Sequence, residues 1–158
     1  MMGRDVAARL VGEPFPEVEL IDEHGEPWSI QHDRGTWVVI FLYPKDDSFG
    51  CTIEARAFEK HMDEFLANGA KVIGVSTDDM SSHARFKEHC EISFPLLSDA
   101  RGRLRKALDL PWTFGILPPR ATFLVDPDGI IRHGYCRQFT FRRHVSLALK
   151  ALERAVGR

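Results

Sequence analysis

A chain of 158 residues, 44% hydrophobic and 28% charged, is long enough to bury an apolar core without disulfides or metals to staple it, so one ordered domain over residues 1–158 is expected and disorder is excluded. Its formal net charge of -2 argues against a nucleic-acid partner held by counterion release. The stretch from Met1 to Leu10 has no apolar run of signal-peptide length and no later run approaches a membrane span; with three widely spaced cysteines, Cys51, Cys90 and Cys136, this points to a cytoplasmic protein whose cysteines are thiols.

Phe15 to Asp22 alternates apolar and polar residues, and Asp22-Glu23-His24-Gly25 turns the chain toward Trp28-Ser29-Ile30, which predicts an N-terminal hairpin. Trp37 to Tyr43 is an unbroken apolar run suited to a strand buried on both faces and ended by Pro44. Lys45 to Gly50 reads as a loop. From Cys51 onward apolar residues recur at Cys51, Ala55, Phe58, Met62 and Phe65, spacings of four and three that mark one face of a helix stopped by Asn68-Gly69. Lys71 to Ser76 is the next short buried strand, and Asp79 or Ser81 caps a helix carrying Phe86 and Cys90. Phe94 to Asp99 is too short and Pro-marked for a helix, Arg101 to Leu108 fits a short helix, and Pro111 to Pro119 fits a loop. Ala121 to Val125, the turn Asp126-Pro127-Asp128-Gly129 and Ile130 to Tyr135 form a second hairpin. A last amphipathic helix runs from about Arg142 to Val156, with Val145, Leu149, Leu152 and Val156 on one face. The basic stretches Arg101 to Lys106 and Arg142 to His144 are assigned to solvated helix faces, the ordinary place for such residues. This order predicts an α/β fold, a thioredoxin-like sandwich with a central mixed β-sheet flanked by helices and an N-terminal β-hairpin.

Cys51 opens a helix just past the C-terminal end of a buried strand, the edge at which α/β sheets place their sites. Unpaired amides and the helix dipole favour an anion there, and the thiolate is the reactive form of cysteine. A cysteine on the inner face of a helix is also a common inert core residue, so position alone leaves both readings open.

The segment Pro44-Lys45-Asp46-Asp47-Ser48-Phe49-Gly50-Cys51 resembles the active-site signature of the peroxiredoxins, a proline followed by a hydroxyl residue three positions before the cysteine. The flanking Phe41-Leu42-Tyr43 and Thr52-Ile53-Glu54-Ala55 are similar to the peroxiredoxin Q, or bacterioferritin comigratory protein, subfamily. Arg120 to Gly129, Gly74-Val75-Ser76 and Phe94 to Asp99 extend the likeness over most of the chain. The resemblance implies a thiol peroxidase acting on hydrogen peroxide and organic hydroperoxides, with Cys51 attacking and becoming a sulfenic acid. In the same scheme Arg120 lowers the thiol pKa and presents a planar fork of donors, Ser48 bridges thiolate and peroxide, and Pro44 shields the thiolate from water. It further implies a thioredoxin or glutaredoxin-type reductant and a monomer or weak dimer. Cys51-Thr52-Ile53-Glu54 is not a C-x-x-C pair, and no H-E-x-x-H pair or zinc-finger cysteine spacing is present, so no cofactor and no metal is expected, and charge and hydropathy leave neither nucleic acid nor membrane as partner.

Two departures matter. Serine stands at position 48 where the family usually has threonine, which keeps the hydroxyl but frees its rotamer. Arg56 occupies the position five residues after Cys51 where many members of the subfamily carry a resolving cysteine. Cys90, on the next helix, is the candidate replacement; a disulfide to Cys51 needs Cα atoms within roughly 7 Å, so the first turn of the Cys51 helix would have to unwind. The alternatives are a one-cysteine peroxidase reduced directly by an external thiol, with Cys90 a core residue, and a redox-sensing interaction protein. Cys136 is read as structural. Phe49 and Trp112 suggest an apolar approach suited to organic peroxides.

Overall fold

The computed structural model describes residues 5–157, so Met1–Arg4 of the N-terminal stretch lie outside the described residues. The chain runs β1 (Leu20–Asp22), β2 (Pro27–Trp28), β3 (Trp37–Leu42), α1 (Phe49–Lys60), α2 (Met62–Ala67), β4 (Ala70–Ser76), α3 (Met80–Cys90), β5 (Leu96–Ser98), α4 (Arg103–Ala107), β6 (Ala121–Val125), β7 (Ile131–Cys136) and α5 (Phe141–Ala155). The strands form one sheet in the order β2-β1-β5-β4-β3-β6-β7. β3, β4 and β5 are parallel, and the two hairpins add antiparallel pairs at either side. This is the mixed sheet that the element order predicts.

β3 sits near the middle of the sheet and is buried on both faces, as its unbroken apolar run requires. Val39 and Phe41 point into a cluster with Ala55 and Phe58 of α1, Phe86 of α3 and Val145, Leu149 and Leu152 of α5. Val38, Ile40 and Leu42 point the other way, toward Phe15, Ile30, Leu104 and Leu108. The strand's period of two thus feeds two cores, and burying a side chain such as Phe58 or Phe86 in them contributes roughly 1.5–3 kcal/mol.

Three expectations are adjusted. The N-terminal hairpin is shorter than its alternating pattern suggests, because Phe15 leaves the strand register to pack edge-on against Phe123 at 6.2 Å while its amide bonds to the Gly129 carbonyl. At its other end Ile30 turns inward in a 3-10 helix from Ile30 to Asp33. The Cys51 helix starts two residues early, at Phe49, and is interrupted at His61; Ala55, Phe58 and Phe65 are buried as predicted and Met62 is half-buried. Finally, Arg142 and Arg143 are solvated but His144 is not: it is fully buried, for reasons the site makes plain.

Candidate active site

The loop that leaves β3 carries Pro44, half-buried, and Ser48, which occupies the N-cap position of α1. The Ser48 hydroxyl caps no first-turn amide; it donates back to the Lys45 carbonyl at 2.8 Å. Cys51 is the third residue of α1 and its side chain turns inward, leaving the residue 1% exposed. Burial pushes its thiol above the ordinary value; Arg120 pulls it down, Ser48 and the Lys45 backbone pull in the same direction, and Glu54 pushes it up. The net direction is upward, a correction to the easy ionisation expected from the helix start alone. The cost of dehydrating the anion outweighs what the surrounding donors return.

Arg120, at the threshold of β6, is 4% exposed and held from two sides. Its Nε donates to the Gln138 carbonyl and its Nη1 to Glu54 Oε1, both at 2.7 Å, and its guanidinium lies 4.7 Å from the Phe141 ring centroid. Nη2 has no protein acceptor among the described residues, and Arg120 lines a cavity of about 340 Å³ shared with Trp112, Phe114 and Phe139. A fixed cation with an unspent donor therefore stands beside the thiol. Phe49, by contrast, is 74% exposed and lies off this cavity, its ring 6.5 Å from that of Phe141.

The groups the sequence reading missed are those that fix Arg120. Glu54, one turn after Cys51, is completely buried, and burial pushes its carboxyl up to about 7 against the pull of Arg120. Its Oε2 has no hydrogen-bond partner and lies 3.7 Å from His144 Nδ1. His144 donates from Nε2 to the Arg137 carbonyl at 2.7 Å and accepts at Nδ1 from the Thr122 hydroxyl at 2.8 Å, the pattern of a neutral ring; burial pushes its pKa down to about 4. An acidic residue inside the apolar stripe Cys51-Ala55-Phe58 was the available signal for Glu54.

These two shifts oppose one another in stability. Glu54 titrates at about 7 when folded against an ordinary 4.5, so the folded state holds the extra proton and Glu54's contribution is lost as pH rises through that window. His144 titrates at about 4 when folded against 6.5, so its contribution is lost as pH falls through that range. Relative to wild type, Glu54→Gln is expected to gain about 3 kcal/mol between the two ends of its window as pH rises, and His144→Asn to lose a similar amount across its own. Urea midpoints at four pH values test this; parallel curves for all three proteins would remove both assignments.

Gly50 completes the arrangement. A Cβ there would come within 2.3 Å of the Phe141 ring, so Gly50→Ala is expected to cost about 1–3 kcal/mol through overpacking, with Phe141→Leu in the same chain restoring most of it. A Gly50→Ala single variant as stable as wild type would mean the ring yields freely.

A second buried network anchors the loop. Asp46 accepts from the Tyr43 hydroxyl at 2.6 Å and the Ser82 hydroxyl at 2.7 Å, and pairs with His83 Nδ1 at 2.7 Å; its amide donates to Asp78 Oδ2 at 2.8 Å. Burial, then Asp46, pushes the Tyr43 phenol well above its ordinary value, so it remains a donor.

Cys90 ends α3, buried in the same apolar cluster as Cys51, and the two are free thiols. Cys136 closes β7; its amide donates to the Asp5 carboxylate, and burial, with Asp5, pushes its thiol up to about 11, the profile of an unreactive cysteine.

Residues 11–134 match the model of the AhpC/TSA family. The chain is 38% identical over 143 residues to a putative chloroplastic peroxiredoxin Q of Oryza sativa subsp. indica, covering 90% of this chain and 66% of the relative, so it spans about two thirds of that relative's length. The peroxidoxin BcpB of Mycobacterium tuberculosis superposes with a TM-score of 0.84 at 32% identity, covering 94% of this chain and 98% of that one. The bacterioferritin comigratory protein of Xanthomonas campestris, whose alkyl peroxide reduction activity has been followed in trapped-intermediate structures, superposes with a TM-score of 0.81 at 31% identity, covering 88% and 92%. The mixed sheet flanked by helices is therefore the thioredoxin-like fold of these proteins.

Proposed function

The chain belongs to the AhpC/TSA family, and from that premise we propose that it is a thiol-dependent peroxidase of the peroxiredoxin Q kind, with Cys51 as the attacking sulfur. The observation that carries the reading is the buried Arg120 guanidinium, fixed by Gln138 and Glu54 with Nη2 unspent, whose charge acts on the Cys51 thiol against the burial that raises it.

In the reaction the Cys51 thiolate attacks one oxygen of ROOH, the O–O bond breaks, and RO⁻ leaves and takes a proton as ROH, while Cys51 becomes the sulfenic acid. Arg120 stabilises first the thiolate and then the charge passing to the departing oxygen. Ser48, already hydrogen-bonded at the loop, turns its hydroxyl between sulfur and peroxide, and Pro44 keeps water from the thiolate. The apolar side chains beside Arg120, Trp112 and Phe139 among them, suit the carbon end of an organic hydroperoxide as well as hydrogen peroxide. The cycle closes when an external thiol, of thioredoxin, glutaredoxin or smaller type, returns Cys51 to the thiol, chemistry that belongs in a reducing compartment such as the cytoplasm. Among the described residues no helix is long and apolar enough to cross a membrane.

A second reading concerns Cys90. Its burial in the Cys51 cluster supports an internal disulfide once the first turn of α1 unwinds, which would make this an atypical two-cysteine enzyme. One experiment addresses both readings: reduced protein is given one equivalent of hydrogen peroxide, sulfenic acid is trapped, and the three cysteines are mapped by non-reducing peptide mass spectrometry. Modification at Cys51 is expected. A Cys51–Cys90 disulfide would establish the two-cysteine cycle, trapped sulfenate with Cys90 still a thiol the one-cysteine cycle, and an unmodified Cys51 after many minutes would end the peroxidase assignment. Sustained turnover with added thiol then separates an enzyme from a redox sensor.

A further inference from the structure

The basic stretch at the start of α5 is not absorbed by the peroxide site. Arg142 and Arg143 face Arg56 and Lys60 of α1 across a groove of about 720 Å³, and none of the four makes an ion pair among the described residues. No acidic side chain lines the groove, although the chain as a whole carries a net charge of -2. Val145 and Ile53 contribute an apolar floor. Four unpaired cations around a concavity attract and retain anions, and this volume is that of a small-molecule site rather than of a flat protein interface.

Position decides which anion. The groove begins at Thr52, the residue directly after Cys51, and extends along α1 as far as His61. The sulfur itself faces the core, so a reductant reaches it only when the first turn of α1 opens. Ser48 gives that turn no side-chain cap, and Gly50 within it adds no side chain of its own to the packing. α5 likewise starts without a side-chain cap, since the Thr140 hydroxyl is engaged with Tyr135, so unpaired amides at both helix starts add to the positive potential.

We propose that the α1–α5 groove, which rests on the peroxidase reading above, binds the reductant, and that this reductant is a small thiol carrying carboxylates. Its thiolate attacks Sγ of oxidised Cys51: from the sulfenic acid it displaces hydroxide, which takes a proton and leaves as water; from an internal disulfide it displaces the Cys90 thiolate. Either route forms a mixed disulfide at Cys51. A second thiolate attacks the small thiol's sulfur, releasing its disulfide and returning Cys51.

The test compares mercaptosuccinate, a dicarboxylate thiol, with neutral 2-mercaptoethanol and cationic cysteamine. Protein oxidised by one equivalent of hydrogen peroxide is mixed with each, and recovery of the Cys51 thiol is followed as a second-order rate corrected for thiolate fraction. Relative to 2-mercaptoethanol, mercaptosuccinate is expected to be favoured about tenfold more in wild type than in the R56E/R143E variant, with the preference shrinking at high salt. R103E/K106E, on the exposed face of α4, makes the same change in net charge and should keep the wild-type ratio. Succinate, with the same carboxylates and no sulfur, should bind the reduced wild type but not R56E/R143E in a calorimetric titration. A mercaptosuccinate preference unchanged by R56E/R143E, or equal action by all three thiols, would overturn the proposal, as would recovery only with an acidic protein reductant. Failure of Cys51 to oxidise removes the peroxidase reading and the reductant role with it, while the succinate titration decides separately whether the groove binds anions.

Discussion

Arg120→Met is expected to lower the rate of Cys51 oxidation by peroxide by about 10²–10³, because it removes both the largest influence holding the thiol pKa down and the unspent donor for the reacting oxygens. The same substitution strands Glu54, completely buried on α1, without its cation; breaking such a pair costs about 3–5 kcal/mol. Loss of activity alone would therefore be ambiguous. The double variant Arg120→Met with Glu54→Leu separates the effects: with the charges gone together, stability should return toward wild type while oxidation of Cys51 stays slow and its alkylation profile shifts to higher pH. Arg120→Lys should fall between, since one ammonium cannot reach the Gln138 carbonyl and the Glu54 carboxylate in the geometry the planar fork uses. If the folded double variant reacts with peroxide as fast as wild type, Arg120 is an anchor for α1 and has no part in the chemistry.

What could be read ahead of the structure follows from which forces are local. The buried strand Trp37–Leu42, the capped start of α3 at Asp79 and the hairpin turn after Val125 are written in runs, caps and turn residues a few positions apart, and they stand where the pattern puts them. Asp79 does accept from the Ser82 amide, as its place before the helix implies. The failures are tertiary. Phe15 alternates like a strand residue, yet packing on Phe123 decides its fate; His144 sits in a basic run, yet the Thr122 hydroxyl and the Arg137 carbonyl make burial affordable. Position at a helix start suggested a readily ionised Cys51, but how deeply that start is buried depends on α5 and β6, which lie far along the chain. The likeness to a known family singles out Cys51, Ser48 and Arg120, and in the structure the Ser48 hydroxyl and the Arg120 charge both act on the Cys51 thiol. That likeness says nothing of Glu54, Gln138 and Phe141, which hold Arg120 in place.

The Asp46–His83 pair is where the loop depends most on a distant element, and His83→Leu is expected to cost about 3–5 kcal/mol by leaving a buried carboxylate short of its partner. Each ring nitrogen of His83 lies within hydrogen-bond distance of an oxygen, Asp46 Oδ2 at 2.7 Å and the Leu97 carbonyl at 3.0 Å, which ties the loop to α3 and β5 at once. Asp46 lies midway between Pro44 and Ser48, and its backbone is clamped to Asp78, whose carboxylate also holds the Ser76 hydroxyl at the end of β4. Freeing Asp46 therefore loosens the segment that aims Ser48 toward the thiol, and peroxide oxidation of Cys51 should slow by about tenfold even where the protein remains folded. Adding Asp46→Val to His83→Leu removes the stranded charge but leaves the Tyr43 and Ser82 hydroxyls without their acceptor, so stability should recover only in part, by about 1–3 kcal/mol, and the rate not at all. A double variant that regained the wild-type rate along with its stability would show that the network holds the fold and leaves the loop's aim untouched.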